Sequence, residues 1–67
     1  MQITINGNSR NFESNEMTIA GLILALELAG KRLAIEHNGE IVPRSQFDAV
    51  MLQNGDQLEI VGAVGGG

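Results

Sequence analysis

Residues 2–28, QITINGNSRNFESNEMTIAGLILALEL, hold a hairpin and a helix in direct succession. Ile3 and Ile5 alternate with Gln2, Thr4 and Asn6, the two-residue period of a strand buried on one face. Asn6-Gly7 supplies residues that tolerate the positive φ values of a tight hairpin turn, so Ser9 to Glu13 is expected to return antiparallel with Phe12 pointing inward. Thr18 has the side chain of an N-cap, and Ile19, Leu22, Ile23 and Leu26 follow at the i, i+3, i+4, i+7 spacing of one helical face. With Gly30 as the stop and Lys31-Arg32 just beyond, the pattern predicts a helix of about three turns. Its other face is also apolar, because Ala20, Gly21, Leu24, Ala25 and Leu28 leave Glu27 as almost its only charge. A helix apolar all round is normally buried, so neighbouring loops are expected to cover Leu24 and Leu28; the competing reading is a contact surface for a partner or a second copy.

The remainder of the chain continues the pattern of strands and tight turns. Leu33 to Asn38 alternates as a strand, Asn38-Gly39 is a second tight-turn signal, and Glu40-Ile41-Val42 runs back until Pro43 ends the pairing. Phe47, Val50 and Met51 fall at i, i+3, i+4, which predicts a short helical or irregular stretch pinned by Phe47. Asn54-Gly55-Asp56 then turns into a last strand, Gln57 to Val61, with Leu58 and Ile60 inward. The order β-β-α-β-β-β places one helix and one sheet as two layers around a single core. A hairpin, a helix and a closing strand that lies beside the first is the β-grasp, ubiquitin-like arrangement. The expectation is therefore an α+β single domain over residues 1–61, a mixed sheet packed on one main helix, followed by a flexible glycine tail over residues 62–67.

Bulk properties remove whole classes of function. At 67 residues the chain is near the low end of what folds alone, where roughly 60% of the unfolded surface is buried. It has no cysteine, so neither a disulfide nor a thiolate metal site reinforces the core. Eight acidic against four basic residues give a net charge of −4, which disfavours nucleic acid as a partner. Neither tyrosine nor tryptophan is present to stack on bases. With no acidic cluster, the acidity reads as a solvated surface; the competing reading is a face that docks onto a basic partner. The longest apolar run, Ile19 to Leu26, is far short of the ~20 residues that span a bilayer. No basic region followed by an apolar stretch marks a secretory signal, so the expected compartment is the cytoplasm.

The chain offers little chemistry of its own. His37 is its single histidine and sits at a strand end beside a turn, where it reads as an exposed structural residue with no partner at suggestive spacing. Glu36 and Glu40 flank that turn and share no helix face, so they form no metal-ligand pattern with it. The remaining candidate is the end of the chain, Val64-Gly65-Gly66-Gly67, for which the competing reading is a frayed terminus of small residues. A backbone without Cβ follows whatever path a narrow channel imposes, and six residues from Gly62 onward reach about 20 Å. The α-carboxylate of Gly67 is a poor acyl donor until activated, most simply by attack on the α-phosphate of ATP to give an acyl-adenylate. Magnesium and cationic groups would have to offset the repulsion between carboxylate and triphosphate. No nucleotide-binding motif occurs in this chain, so a partner enzyme has to supply them.

Asn38-Gly39-Glu40-Ile41-Val42-Pro43-Arg44, the Asn54-Gly55-Asp56 turn and the terminal Val64-Gly65-Gly66-Gly67 together resemble the ThiS family of sulfur carriers in thiamine biosynthesis, across essentially the whole chain. Phe47 stands where a tryptophan is frequent in that family, and Gly62 and Ala63 are small where bulkier residues often precede the tail. The resemblance implies that an E1-like adenylating enzyme using ATP and magnesium activates Gly67, with no cofactor intrinsic to the carrier. It implies further that sulfur arrives through a cysteine desulfurase relay and that the thiocarboxylate goes to thiazole synthase. Gly66 and Gly67 would then carry the cargo, while Val64 and Gly65 line the partner's channel. Arg44 reads as a surface contact or as a solvated turn residue. A molybdopterin-synthase small subunit resembles the chain in fold and tail but is usually longer, and a ubiquitin-like modifier would instead join Gly67 to lysines.

Overall fold

Two Asn-Gly pairs set the hairpins. In the computed structural model, which describes residues 1–62, Asn6 and Gly7 have φ of 51° and 84°, and Asn38 and Gly39 have 51° and 88°. Positive φ at both central residues gives a turn whose twist matches that of the flanking strands. The first turn joins β1 (Gln2–Ile5) to β2 (Asn8–Asn11), and the second joins β3 (Leu33–His37) to β4 (Glu40–Val42), both pairs antiparallel. Strand β2 ends two residues before the expected Glu13, and Phe12 packs half-buried against the core with its N–H donating to the Met1 carbonyl at 2.8 Å.

The last strand, β5 (Gln57–Gly62), occupies the centre of a five-stranded sheet of order β2-β1-β5-β3-β4. It runs parallel to β1, with Thr4 opposite Gln57 and Ile5 opposite Leu58, and antiparallel to β3, with Leu33 opposite Gly62. Its end lies one residue past the expected Val61. Asn6 lengthens the parallel seam from a turn: its side-chain oxygen accepts from the Ile60 N–H at 2.8 Å and its amide donates to the Ile60 carbonyl at 2.9 Å. This is the β-grasp topology, with a mixed sheet against one helix.

Helix α1 (Ile19–Ala25) begins at Thr18, whose Oγ1 accepts from the Gly21 N–H at 3.0 Å. The other free amides of the first turn also find partners: Ile19 N–H donates to the Val50 carbonyl and Ala20 N–H to the Phe47 carbonyl. The segment after Pro43, a 3-10 turn over Arg44–Gln46 followed by Phe47 to Leu52, is thereby fastened to the helix start, and Phe47 packs half-buried against the core. Unpaired helix-terminal amides are costly when buried, which explains why this irregular stretch is held so closely.

The helix ends earlier than its apolar pattern predicts. It has seven residues, about two turns, and the stop is Glu27 at φ 60° rather than Gly30. Leu28 N–H donates to the Ile23 carbonyl and Glu27 N–H to the Leu24 carbonyl, the paired bonds of a Schellman ending. Ile23 and Leu28 both pack on the core, which gives the apolar contact that accompanies such an ending and overrides the poor fit of glutamate to a left-handed conformation. Gly30, at φ 85°, instead serves the next turn.

The core consists of Ile3, Ile5, Ile19, Leu22, Ile35, Leu52, Leu58 and Ile60, contributed by the helix, the loop after the 3-10 turn and three strands. Loops do not cover both outer leucines as expected. Leu28 is half-buried, but Leu24 is 67% exposed. The physical reason is the reach of the Phe47 to Leu52 segment, which is bonded to the first turn of the helix and leaves the far side of the second turn open.

Candidate functional site

The site residues predicted from sequence, Val64, Gly65, Gly66 and Gly67, lie outside the described residues. The strand that leads to them ends at Gly62, cross-strand from Leu33. Glu59 and Val61 point to the open face of the sheet, away from the helix, where they meet Ala34, Glu36 and Ile41 around a shallow depression. Ile41 is 78% exposed and Val61 57%, so an apolar strip edged by two carboxylates borders the end of β5. On the helix side, Leu33 forms one wall of a groove of about 310 Å³ whose other walls include Ile23, Leu24 and Phe47, with Lys31 and Arg44 also lining it. Arg44 therefore lines a groove rather than merely supporting a turn.

His37 is not the lone exposed residue its sequence position suggests. It is half-buried, and its Nε2 lies 2.6 Å from Asp56 Oδ2. The same oxygen accepts from the Gln53 N–H at 2.8 Å, while Oδ1 accepts from the Asn38 amide at 3.1 Å. Burial by itself pushes the Asp56 carboxyl up; the hydrogen bonds from His37, the Gln53 backbone and Asn38, together with attraction to the imidazole, outweigh it and hold the group below its ordinary value. An ionised carboxylate only accepts, so the histidine Nε2 carries the hydrogen. Asn38 also accepts from the Gln57 N–H at 2.9 Å, so the cluster ties the β3-β4 turn to the turn that launches β5. With three donors already on the carboxylate, its chemistry is that of a clamp. Nineteen residues separate His37 from Asp56, and the signal in the sequence is the pairing of two turns, Asn38-Gly39 and Asn54-Gly55, that the sheet places side by side.

Among the described residues no group of three or more histidine, aspartate or glutamate side chains is arranged to hold a metal ion. No helix among them is long and apolar enough to cross a membrane. What this part of the molecule offers is surface: an acid-edged apolar strip and a cation-edged apolar groove, on either side of the strand from which the glycine-rich end departs.

The sequence model of the ThiS family matches residues 3–67. The chain is 32% identical over 65 residues to the sulfur carrier protein ThiS of Bacillus subtilis, covering 97% of this chain and 98% of that one. It is 43% identical over 67 residues to a protein of Paramagnetospirillum magneticum named thiazole synthase, and there it spans only 20% of the relative's length. A crystal structure of the thiamine biosynthesis protein ThiS from Geobacter metallireducens superposes with a TM-score of 0.88 at 32% identity over all of both chains.

Proposed function

Because the chain belongs to the ThiS family, we propose that it is a sulfur carrier of thiamine biosynthesis whose working group is the α-carboxylate of Gly67. The observation that carries this reading is the match of the family's sequence model to residues 3–67, glycine end included, beside a relative named for sulfur carriage that aligns over 97% of the chain. An E1-like enzyme binding ATP and magnesium activates the carboxylate: a carboxylate oxygen attacks the α-phosphate, pyrophosphate leaves, and Gly67 becomes an acyl-adenylate. A persulfide from a cysteine desulfurase relay then attacks the acyl carbon and displaces AMP to give an acyl disulfide. A second thiol supplied by the partner cleaves its S–S bond, forming a disulfide on the partner side and releasing the thiocarboxylate on Gly67. The chain itself is the co-substrate in these steps, and catalytic groups belong to its partners. Gly66 provides a backbone slim enough for a narrow active site, and Val64 and Gly65 line the channel leading to it.

Thiazole synthase is the proposed acceptor of the sulfur. The support is that two relatives bearing that name, from Paramagnetospirillum magneticum and Magnetococcus marinus, contain a stretch matching all of this chain within about a fifth of their length. Removal of Gly67 tests the reading. The truncated chain is expected to keep its circular dichroism spectrum and melting temperature while acquiring no sulfur from the activating enzymes. Normal thiocarboxylate formation by that variant refutes it.

A further inference from the structure

The groove beside helix α1 has no task in the sulfur chemistry just described. We propose that it is a docking site for a protein segment presenting a large apolar side chain next to carboxylates, and that the segment belongs to the thiazole synthase that accepts the sulfur. This rests on the partner reading above and adds to it the surface used.

Three observations carry the assignment. The groove is apolar and open, walled by Ile23, Leu24, Leu33 and Phe47, and Leu24 is 67% exposed on a helix face that neighbouring segments leave bare. Its volume of about 310 Å³ admits a bulky side chain with its immediate neighbours. Its charge is opposite to that of the molecule: Lys31 and Arg44, two of only four basic residues in a chain of net charge −4, line it, and no carboxylate does. A segment bearing Asp or Glu beside Leu or Phe satisfies both features, whereas a basic segment is repelled there and drawn to Glu36 and Glu59 on the opposite face of the sheet.

Position supplies the third argument. Leu33, one wall of the groove, is the cross-strand partner of Gly62, and Gly67 lies five positions beyond Gly62. Five residues span at most about 18 Å when fully extended, so a protein that takes Gly67 into its active site stands close to the end of β5. Its surface then comes close to Gly62, across from which Leu33 forms one wall of the groove.

The test is titration of purified thiazole synthase with the carrier and two variants, Lys31→Glu/Arg44→Glu and Leu24→Ser, at low and high salt. All three altered side chains are exposed or line the surface, and circular dichroism verifies folding; should Leu24→Ser fail to fold, the charge-reversal pair alone decides. The expected result is a loss of affinity of about tenfold or more for the charge-reversed chain, and disappearance of the salt dependence shown by the unaltered carrier. Binding of both variants within about twofold of the unaltered chain overturns the groove assignment while leaving the partner reading intact. No binding by the unaltered carrier overturns the partner reading and this inference with it.

Discussion

Replacing Asp56 by asparagine probes the clamp between the two turns. Asp56 is buried, its side chain 12% exposed, and its carboxylate accepts three hydrogen bonds, two on Oδ2 and one on Oδ1. An amide of the same shape cannot keep all three. With its NH₂ toward Asn38 it sets donor against donor, since the Asn38 oxygen is already occupied by the Gln57 N–H. With its NH₂ toward His37 it leaves the Gln53 N–H unpaired. A hydrogen bond to a charged group contributes about 1.5–3 kcal/mol, and the two surviving bonds lose their charge assistance, so the substitution costs about 3 kcal/mol once the partial exposure of His37 and Asn38 is discounted. For a domain this small each kcal/mol moves the melting temperature by about 4–8 °C, which puts the expected drop at roughly 12–24 °C near neutral pH.

The pH dependence follows from the sign of the shift. The folded-state value of Asp56 lies below its unfolded value of about 3.9, so its contribution is complete above pH ~4 and is lost as pH falls through the lower, folded-state value. Protonated aspartic acid is neutral like asparagine, so the melting temperatures of the two proteins converge in acid. Thermal melts followed by circular dichroism from pH 6.5 downward measure the gap. A gap that stays constant to pH 2, or one under about 3 °C at pH 6.5, refutes the clamp.

Glu27→Gly relieves a left-handed conformation that costs a non-glycine residue about 1–2 kcal/mol, partly offset by the entropy of glycine, so urea denaturation should show a gain of up to about 1 kcal/mol. Leu22→Ala, at a fully buried position, should lose about 2–5 kcal/mol in the same assay, while Leu24→Ser on the open face of the same helix stays within about 0.5 kcal/mol of the parent; equal losses at both positions would contradict the packing described. Thr18→Ala removes the acceptor for the Gly21 N–H and should cost about 1 kcal/mol, read from the denaturation midpoint.

The turns were the most legible part of the chain. Asn6-Gly7 and Asn38-Gly39 are among the few residue pairs that accept positive φ at two successive positions, and the hairpins follow from them. Thr18 was legible because its side chain does a local task three residues away. What local patterning did not reveal were effects of tertiary contact. Glu27 ends the helix where Ile23 and Leu28 each pack on the core and Leu28 N–H bonds back to the Ile23 carbonyl, a preference no propensity for glutamate expresses. Leu24 is bare because the Phe47 to Leu52 segment is bonded to the first turn of the helix only, which its own sequence does not announce. His37 and Asp56 meet because β3 and β5 are sheet neighbours in a particular register, with His37 opposite Leu58. Of the candidate site, the glycine end is named by the sequence alone and lies outside the described residues, whereas the groove edged by Lys31 and Arg44 joins residues from three separated stretches and emerges only on folding.

The central claim is that Gly67 carries sulfur, and intact mass spectrometry addresses it directly. The full chain is incubated with an E1-like adenylating enzyme, magnesium-ATP, a cysteine desulfurase and cysteine. The account predicts a gain of about 16 Da, one oxygen replaced by sulfur, that fragmentation places on Gly67. An unchanged mass in the presence of demonstrably active enzymes, or a sulfur located on any other residue, would contradict it.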